Sequence, residues 1–486
     1  MDVCLILEGT YPYVSGGVAT WVHQLITSMK GINFGLYCIS AHADPTRKLQ
    51  YVLPPNVVYF QELFLHDYNL RNISKRKPGP GDFKKLKDVL EEIGGKNYKN
   101  FPQLLELFQG EDACFHSKNI FASQQIWDLL ISYYERFAPE ISFIDFFWTW
   151  RNIYLPVLEI FQAPLPRAKI YHAVSTGYAG LLGVVAKLLQ GEKLFITEHG
   201  IYTHERKLEI AQASWILDQE QKRPRASREI SFFKKWWTAF FQLLSSLAYD
   251  SADQVFTLFE GNKIRQILEG CAPEKLCIIP NGILLEETPL LKSREKKGPS
   301  IGLVGRVVEI KDIKTFLRAA ALVLEMKPET EFYVLGPLEE EKEYAEECMA
   351  LSEELGLDKK VHFTGKVEMK DFYPILDVLV LTSLSESQPY VILEACWMGI
   401  PVVATDVGAC REMLEGSSDS EDRNFGKSGL LTPVSSPQKT AEAILELLEH
   451  PSLRQQMAHS GRARVKKFYN QEDLLSKYLN FYEQNL

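Results

Sequence analysis

The sequence predicts an α/β protein with two parallel-sheet domains, and three observations carry this prediction. The chain has 486 residues, which is too long for one ordinary hydrophobic core. Apolar, strand-like runs alternate with helical stretches along most of its length, as in proteins whose parallel strands are joined by helices. A charged, proline-containing connector interrupts the alternation once, near residue 286, and the alternation then restarts.

The first domain is expected to span residues 1–285. Its opening reads as strand, turn and helix: VCLILE is a continuous apolar run, GTYPYVSGG has turn chemistry, and VATWVHQLITSM has helical spacing. Further strand-like runs follow in the order FGLYCIS, NVVYF, KIYHAVS, KLFITE, QVFTLF and KLCIIP. Residues 63–151 are polar and rich in helix formers, so we expect a helical insertion there.

The second domain is expected to span residues 286–466. Its strand-like runs are SIGLVG, EFYVLG, KVHFTG, VLVLTS, PVVAT and GLLTP, and the chain is helical from Ser435 onward. We expect the last helix, about residues 467–486, to pack back on the first domain. Ligands of open α/β sheets bind beyond the carboxyl ends of the strands, so two such sheets facing each other would form a binding cleft.

Composition and charge exclude several classes of protein. Hydrophobic residues make up 46% and charged residues 24% of the chain, as is typical of a soluble globular protein. Acidic residues outnumber basic residues by 63 to 54, which argues against a broad basic face for nucleic acid but leaves room for a local phosphate pocket. The start, MDVCLILEGTYP, is unlike a signal peptide, and no apolar run reaches the roughly 18 residues of a membrane span.

Cysteine and histidine usage bears on compartment and metal content. The eight cysteines are scattered and form no CxxC pair, which indicates buried, reduced thiols and a reducing compartment. The sequence has no H-E-x-x-H, no D-x-D and no clustered His and Cys. No metal site is therefore expected.

An aromatic stretch from Phe232 to Leu244 has the spacing of one helix face. Core packing is the favoured interpretation. A membrane-surface or partner-docking face is the alternative, and Lys234 and Lys235 support it slightly.

The stretch SLSESQPYVILEACWMGIP, residues 383–401, carries two acids around the expected start of a buried helix. Pro389 suits a first helical position and Gly399 suits a stop. A helix start offers backbone N–H groups to an anion, and the carboxylates of Glu386 and Glu394 could each accept hydrogen bonds from a diol. This layout fits a sugar nucleotide, although spacing alone favours a helix-dipole acid plus a solvated acid.

The segment GLVGRVVEIKD places Arg306 and Lys311 after a strand that ends in glycine. A guanidinium fork and a point charge together suit a diphosphate, although two ordinary surface bases are the more common arrangement. Glu309 lies between them and either faces solvent or pairs with one of the two bases.

Polar residues also stand at expected strand ends of the first domain. Ser15–Gly17, between the first strand and helix, could bring backbone N–H groups close to a charged oxygen, or form a plain turn. His172, Glu198 and His199 follow strand-like runs. A lone histidine is more often structural than catalytic, so these residues raise the odds of a site only modestly.

Several motifs together resemble a known family. GRVVEIKD, VHFTGKV, SESQPYVILEACWMGIPVVATDVGACRE, GLLTP and GRARVKKFY resemble the C-terminal half of the retaining glycosyltransferases of GT-B fold, the large glycogen-synthase-like family. The N-terminal half, with EGTYPYVSGGVATWVHQLI, IDFFWTWRNIYLP, HAVSTGYAG and ITEHGIYTHERKLEI, is similar to the PelF glycosyltransferases of bacterial Pel exopolysaccharide synthesis. The fold implied is GT-B, with two Rossmann-like domains facing across a cleft.

The resemblance also implies roles for individual residues. Glu386 would contact the donor sugar, Glu394 the ribose diol, and Arg306 and Lys311 the diphosphate. The resemblance further assigns His172 to the donor sugar and the backbone of Gly16 and Gly17 to the diphosphate. The remaining implied donor contacts are Gly365, Lys366, Ser387, Gln388, Pro389 and Tyr390, and Glu198 and His199 are candidates for the acceptor side.

The implied function is metal-independent transfer of a hexosyl unit from a UDP-sugar to a growing exopolysaccharide, with retention of configuration and no cofactor. The resemblance also implies a cytoplasmic enzyme that associates with inner-membrane synthase proteins. Two alternatives stay open: a non-catalytic scaffold subunit that binds sugar nucleotides, and a glycosidase with Glu386 and Glu394 as its acid pair.

Overall fold

The computed structural model describes residues 1–9, 11–14, 16–67, 76–94, 97–110, 113–116, 120, 123–213, 216, 231–285 and 298–486. Ser15 and the connector at 286–297, which both entered the predictions above, lie outside the described residues. The chain divides into two compact units. The first comprises Met1–Thr257, Lys263–Cys277 and Leu479–Leu486, and the second comprises Leu258–Asn262 and Ile278–Tyr478.

The first unit is built on a seven-stranded sheet with the order β3-β2-β1-β4-β5-β6-β7. Its strands are β1 (Val3–Glu8), β2 (Phe34–Ser40), β3 (Val57–Phe64), β4 (Ile170–Ala173), β5 (Lys193–Glu198), β6 (Gln254–Thr257) and β7 (Leu276–Ile278). The pairs from β3 through β6 are parallel. Because β1 pairs with both β2 and β4, the strand order reverses next to β1.

Helices connect these strands. They are α1 (Gly17–Ser28), α2 (Pro80–Gly94), α3 (Phe101–Glu106), α4 (Gln124–Phe137), α5 (Phe143–Phe161), α6 (Tyr178–Gln190), α7 (Tyr202–Gln212), α8 (Phe232–Ser251) and α9 (Glu260–Leu268). Helices α2 to α5 lie between β3 and β4, in the part of the chain where the sequence predicts a helical insertion. Helix α5 runs through Pro156 and ends ten residues beyond the predicted limit at 151.

The second unit is built on a six-stranded sheet with the order β10-β9-β8-β11-β12-β13. Its strands are β8 (Ser300–Val304), β9 (Glu331–Leu335), β10 (Val361–Gly365), β11 (Val378–Leu381), β12 (Val402–Thr405) and β13 (Gly429–Thr432). All five neighbouring pairs are parallel. The strand order reverses between β8 and β11, so a crevice is expected beyond the carboxyl ends of these two central strands.

The helices of the second half follow the same alternation. They are α10 (Ile313–Met326), α11 (Lys342–Glu354), α12 (Met369–Phe372), α13 (Tyr390–Trp397), α14 (Cys410–Glu415), α15 (Ser420–Asn424), α16 (Pro437–Glu449), α17 (Pro451–Phe468) and α18 (Gln471–Glu483). The last residues of the chain, Leu479–Leu486, belong to the first unit, where the Tyr482 ring stacks on Phe195 at 6.3 Å.

The predicted α/β class with two parallel, Rossmann-like sheets is confirmed. Strands such as β1 and β11 are buried along nearly their whole length. A parallel strand that is covered by helices on both faces reads as a continuous apolar run, and this is why the strands were visible in the sequence. None of the helices in the described part of the chain combines the length and apolarity that crossing a bilayer requires.

The aromatic stretch forms most of helix α8 and packs into the core of the first unit. Phe233, Trp237, Phe240, Phe241 and Leu244 are all buried there. The favoured interpretation of this stretch therefore agrees with the structure. All cysteines except Cys277 are buried.

Candidate functional site

The second sheet brings two loops together where its strand order reverses. Strand β8 ends at Val304 and strand β11 ends at Leu381, and the two strands run side by side in parallel. The loops that follow are joined by a hydrogen bond from the Leu384 N–H to the Ile310 carbonyl at 2.8 Å. Ligands of open α/β sheets bind at such reversals, so these loops form the candidate site.

Lys311 and Glu386 meet at this point. The Lys311 ammonium donates to Glu386 Oε1, and the Ser383 hydroxyl donates to the same oxygen at 2.7 Å. The side chains of Lys311 and Glu386 are only 20% and 12% exposed. The Thr382 hydroxyl fixes the Lys311 loop by donating to the Lys311 carbonyl at 2.9 Å. The structure thus brings together, in one partly buried ion pair, two residues that the sequence singled out separately for diphosphate and sugar contacts.

Arg306 lies on the β8 loop but has a different partner. Its guanidinium pairs with Glu340, and both side chains are about half exposed, at 51% and 50%. Glu309 is exposed, and its backbone N–H donates to the Glu341 carboxylate at 2.8 Å. The structure thus places Glu309 toward solvent, because Arg306 and Lys311 each pair with another acid.

The loop that carries Glu386 is supported by a second loop, which sequence reasoning missed. Gly408 has a φ of 54°, and a Cβ there would lie 2.1 Å from the Glu386 carbonyl oxygen. The Ala409 N–H donates to the Ser387 carbonyl at 2.8 Å. Only glycine allows this close backbone approach. Nothing local in the letters TDVGAC distinguishes this glycine from an ordinary turn residue.

Helix α13 starts one residue later than predicted. Pro389 is the N-cap and not the first helical residue, since its ψ of 119° is extended. The helix begins at Tyr390 and stops before Gly399, whose φ of 75° is the left-handed conformation expected of a helix stop. The Gln388 side chain is buried, where its carbonyl accepts from the Asn281 N–H at 2.6 Å.

Glu394 projects from helix α13 into an aromatic setting. The Tyr373 hydroxyl donates to Glu394 Oε2 at 2.5 Å. Burial raises the pKa of the Glu394 carboxyl, and the Tyr373 hydrogen bond opposes that rise. The Tyr390 hydroxyl is buried, and it has no hydrogen-bond partner in the described part of the chain. This combination of a carboxylate and a buried hydroxyl suits recognition of a polar ligand group.

Gly365 and Lys366 follow strand β10, at the same carboxyl edge of the second sheet. Gly365 has a φ of 67°, and its carbonyl accepts from the Gly336 N–H at 3.0 Å. Lys366 is exposed. The backbone at this turn is therefore set by glycine geometry, as a contact through backbone atoms requires.

The structure revises the interpretation of His172 as a sugar contact. His172 lies within strand β4 and is fully buried. Its Nδ1 is 2.6 Å from the Tyr482 hydroxyl and its Nε2 is 2.8 Å from the Thr197 hydroxyl. Burial lowers the pKa of the imidazole to about 3, so the ring is neutral. Both ring nitrogens are engaged inside the unit, so His172 does not line an open site.

Glu198 and His199 are also enclosed. The Glu198 carboxylate accepts from Tyr202 N–H at 2.8 Å, Gln266 Nε2 at 2.8 Å and the Tyr249 hydroxyl at 2.5 Å, and burial raises its pKa. His199 packs edge-on against Trp21 with ring centroids 4.8 Å apart, and burial lowers its pKa to about 4. These contacts correct the predicted acceptor-side role of Glu198, because its carboxylate is used to tie β5 to helices α7, α8 and α9.

Gly16 and Gly17 join β1 to α1. Gly16 is the N-cap and Gly17 the first helical residue. A Cβ on Gly16 would meet nothing within 4 Å, so packing does not demand glycine there. Among the residues that the structure describes, no group of His, Cys, Asp or Glu side chains is placed to hold a metal ion. Metal independence stays a prediction.

Comparison with known proteins divides the chain in two. Residues 1–274 match the family model for a domain of unknown function, DUF3492. The chain belongs to the DUF3492 family. In this DUF3492 protein, residues 298–450 match a second model, glycosyl transferases group 1. That segment contains Arg306, Lys311, Glu386 and Glu394.

Two curated relatives match part of this DUF3492 protein. A D-inositol 3-phosphate glycosyltransferase from Corynebacterium urealyticum is 33% identical over 174 residues, which is 35% of this chain and 39% of the relative. The capsular polysaccharide biosynthesis glycosyltransferase CapM of Staphylococcus aureus is 26% identical over 262 residues, which is 50% of this chain and 66% of the relative. The DUF3492 protein thus spans less than two thirds of either relative.

A solved structure resembles the whole chain. Anabaena HepE, determined in complex with UDP, aligns with a TM-score of 0.61 at 14% identity over 100% of both chains. At this identity the likeness shows the fold alone. The DUF3492 protein therefore has the predicted GT-B class of fold, with two Rossmann-like parallel-sheet domains.

Proposed function

We propose that this DUF3492 protein is a glycosyltransferase that moves a hexosyl unit from a UDP-sugar to a growing bacterial exopolysaccharide. The observation that carries the proposal is the Lys311–Glu386 pair at the strand-order reversal of the second sheet, inside the segment that matches glycosyl transferases group 1. A cation and an acid held together there suit a substrate that is anionic on one side and rich in hydroxyls on the other.

The relatives support the choice of donor and acceptor. HepE is described in complex with UDP, and CapM is named for capsular polysaccharide biosynthesis. The sequence resemblance to PelF glycosyltransferases narrows the proposed acceptor to a Pel-like polysaccharide. From the same resemblance we propose a cytoplasmic location and inner-membrane synthase proteins as partners.

The proposed mechanism assigns charge stabilisation to the β8 loop. Cleavage of the bond between sugar and diphosphate builds negative charge on the leaving group, and Lys311 and Arg306 would stabilise it, each by about 3 kcal/mol if well placed. Glu386 would accept hydrogen bonds from sugar hydroxyls, and Glu394 from the ribose diol. With retention by front-face attack, the acceptor oxygen bonds to the anomeric carbon as the bond to the diphosphate breaks, and the departing phosphate oxygen takes the acceptor proton, so no protein nucleophile is required. Lys311 and Arg306 would supply the charge stabilisation that a metal ion otherwise supplies.

The other predicted donor contacts remain part of the proposal. These are the backbone groups of Gly16, Gly17, Gly365 and Lys366 and the start of helix α13, with Ser387 and Tyr390. His172 and Glu198 leave the substrate-contacting set, because their polar groups are engaged inside the first unit. His199 leaves it because its ring is buried and packs against Trp21. We propose that they position the strand ends instead.

UDP is expected to bind the purified chain, and EDTA is expected to leave the affinity unchanged. Isothermal titration with UDP measures this directly. Arg306→Ala should weaken binding by about tenfold, since a charge-assisted contact to phosphate contributes roughly 1.5 kcal/mol or more. Arg318→Ala, an exposed arginine on helix α10, is the matched control and should bind as the wild type does. Absence of UDP binding to the wild type would refute the proposed function.

UDP affinity should also depend on pH through Glu394. Because burial raises the pKa of this carboxyl, it becomes protonated at a higher pH than an exposed glutamate, and a neutral carboxyl is the poorer acceptor for a diol. The advantage of the wild type over Glu394→Gln should therefore shrink as the pH falls, starting above the usual carboxyl range of about 4.3. Taking the ratio of the two affinities at each pH removes the effect of protonation of UDP itself, because that effect is the same for both proteins. An advantage that stays constant as the pH is lowered from 8 into the usual carboxyl range would contradict the assignment.

Turnover separates the enzyme from the scaffold alternative. Release of UDP from UDP-glucose or UDP-N-acetylhexosamines, with and without a polysaccharide acceptor, measures turnover and identifies the sugar. A protein that binds UDP but turns over none of these donors under any acceptor condition would favour a non-catalytic subunit.

A further inference from the structure

We propose that Glu340 sets donor affinity by competing with the donor diphosphate for Arg306. In the structure Glu340 holds the guanidinium, and a diphosphate must take it over. The inference rests on the proposed function, because it treats Arg306 as a diphosphate ligand. Beyond that function, the inference adds Glu340 as a residue that weakens donor binding.

The backbone places Glu340 beside Arg306. Strand β9 pairs with β8, and two hydrogen bonds continue past the strand ends: the Gly305 N–H donates to the Leu335 carbonyl at 3.0 Å, and the Val307 N–H donates to the Pro337 carbonyl at 3.0 Å. These bonds hold the turn after β9, residues 336–341, against the loop that carries Arg306. These backbone contacts therefore keep the Arg306 and Glu340 side chains close to each other, whether or not the two side chains attract.

Two further contacts lock the same turn. A Cβ on Gly336 would lie 2.0 Å from the Gly305 carbonyl oxygen, so the two loops touch backbone to backbone. The Glu341 carboxylate accepts from the Glu309 N–H at 2.8 Å. The Glu341 carboxylate is thus anchored to the β8 loop, whereas Glu340 meets the loop only through the Arg306 side chain in the contacts seen among the described residues.

The strength of the Arg306–Glu340 pair suits exchange. Both side chains are about half exposed, and solvent screens such pairs so strongly that they are weak. A diphosphate offers several anionic oxygens and can bind a guanidinium through two parallel hydrogen bonds. The diphosphate should therefore win, while the lost pair lowers the observed affinity by about two- to fivefold. Lys311 differs, because its pair with Glu386 is far less exposed.

The test is a double-mutant cycle in UDP titrations of the full chain. Glu340→Gln should bind UDP about two- to fivefold more tightly than the wild type, and the gain should shrink at high salt. In the Arg306→Ala background, Glu340→Gln should change the affinity by less than about 1.5-fold, because the competitor then has nothing to hold.

Glu339→Gln is the matched control. Glu339 is an exposed acid on the same turn, and its carboxylate accepts from the Leu338 N–H at 3.0 Å. It should leave the affinity unchanged in both backgrounds. If Glu339→Gln and Glu340→Gln raised the UDP affinity equally, the effect would come only from removing a negative charge near the site, and the proposal would be overturned.

The outcomes separate the inference from the function on which it rests. If UDP fails to bind any variant, both fall. If UDP binds and Arg306→Ala weakens binding, but Glu340→Gln has no effect or weakens it, only the competition is refuted. If Arg306→Ala leaves UDP binding unchanged, the competition falls because Arg306 is not a ligand.

Discussion

Lys311→Ala is expected to lower donor turnover by about two to three orders of magnitude. The substitution removes the cation that would stabilise the departing diphosphate. It also leaves Glu386, whose side chain is only 12% exposed, without the ammonium with which it pairs. That carboxylate would then repel the diphosphate, so the loss of the cation and the added repulsion raise the barrier together.

The measurement is steady-state UDP release from the best donor identified for the wild type. Lys314→Ala is the control, because Lys314 lies three residues further along and pairs with Glu347 at 2.6 Å on an exposed surface. That variant should keep full activity. Retention of more than half of the wild-type kcat by Lys311→Ala would show that the ion pair is structural and would remove it from the mechanism.

Arg464→Met is expected to lower the free energy of unfolding by about 3–5 kcal/mol. Arg464 is 1% exposed and lies on helix α17, within the motif GRARVKKFY. Its Nε donates to Asp422 Oδ1 at 2.6 Å, and its Nη atoms donate to the Ser428 hydroxyl at 2.8 Å and the Gly426 carbonyl at 2.6 Å. Methionine fills similar volume but leaves the buried Asp422 carboxylate without its cation and removes the donor from the Ser428 hydroxyl and the Gly426 carbonyl.

Urea unfolding followed by circular dichroism measures this loss. Lys467→Met is the control on the same helix, since Lys467 pairs with Glu421 at 3.2 Å and both side chains are more than half exposed. Its effect should stay below about 1 kcal/mol. If the two substitutions had equal effects, the buried network would not be the source of stability, and the role of this motif would have to be sought elsewhere.

Much of the fold could be predicted from the sequence because its strands are covered on both faces. Runs such as VCLILE and VLVLTS are apolar throughout, and each became a buried parallel strand. The ends of the helices were predicted less accurately than the strands. Helix α5 continues through Pro156 to Phe161, because aromatic and aliphatic residues on its buried face keep packing beyond the predicted limit.

Part of the candidate site was also visible in the sequence. Lys311 and Glu386 lie 75 positions apart, and they meet because each follows a strand on one side of the strand-order reversal. Their residue types already suggested diphosphate and sugar contacts. The partner of Arg306 and the support from Gly408 were not visible, since both depend on which loops become neighbours.

By itself, the sequence determined the alternation of strands and helices, the division into two sheets and the residue types at the strand ends, because periodicity and turn chemistry are local properties. Tertiary structure alone decided which strand-end residues are fully enclosed and which lie in partly exposed loops beyond the strands. In the sequence, His172 and Glu198 follow strand-like runs as Glu386 does, yet burial and nearby hydroxyl and amide groups engage them inside the first unit. Such neighbours are set by strand order and helix packing, which join residues far apart in the chain.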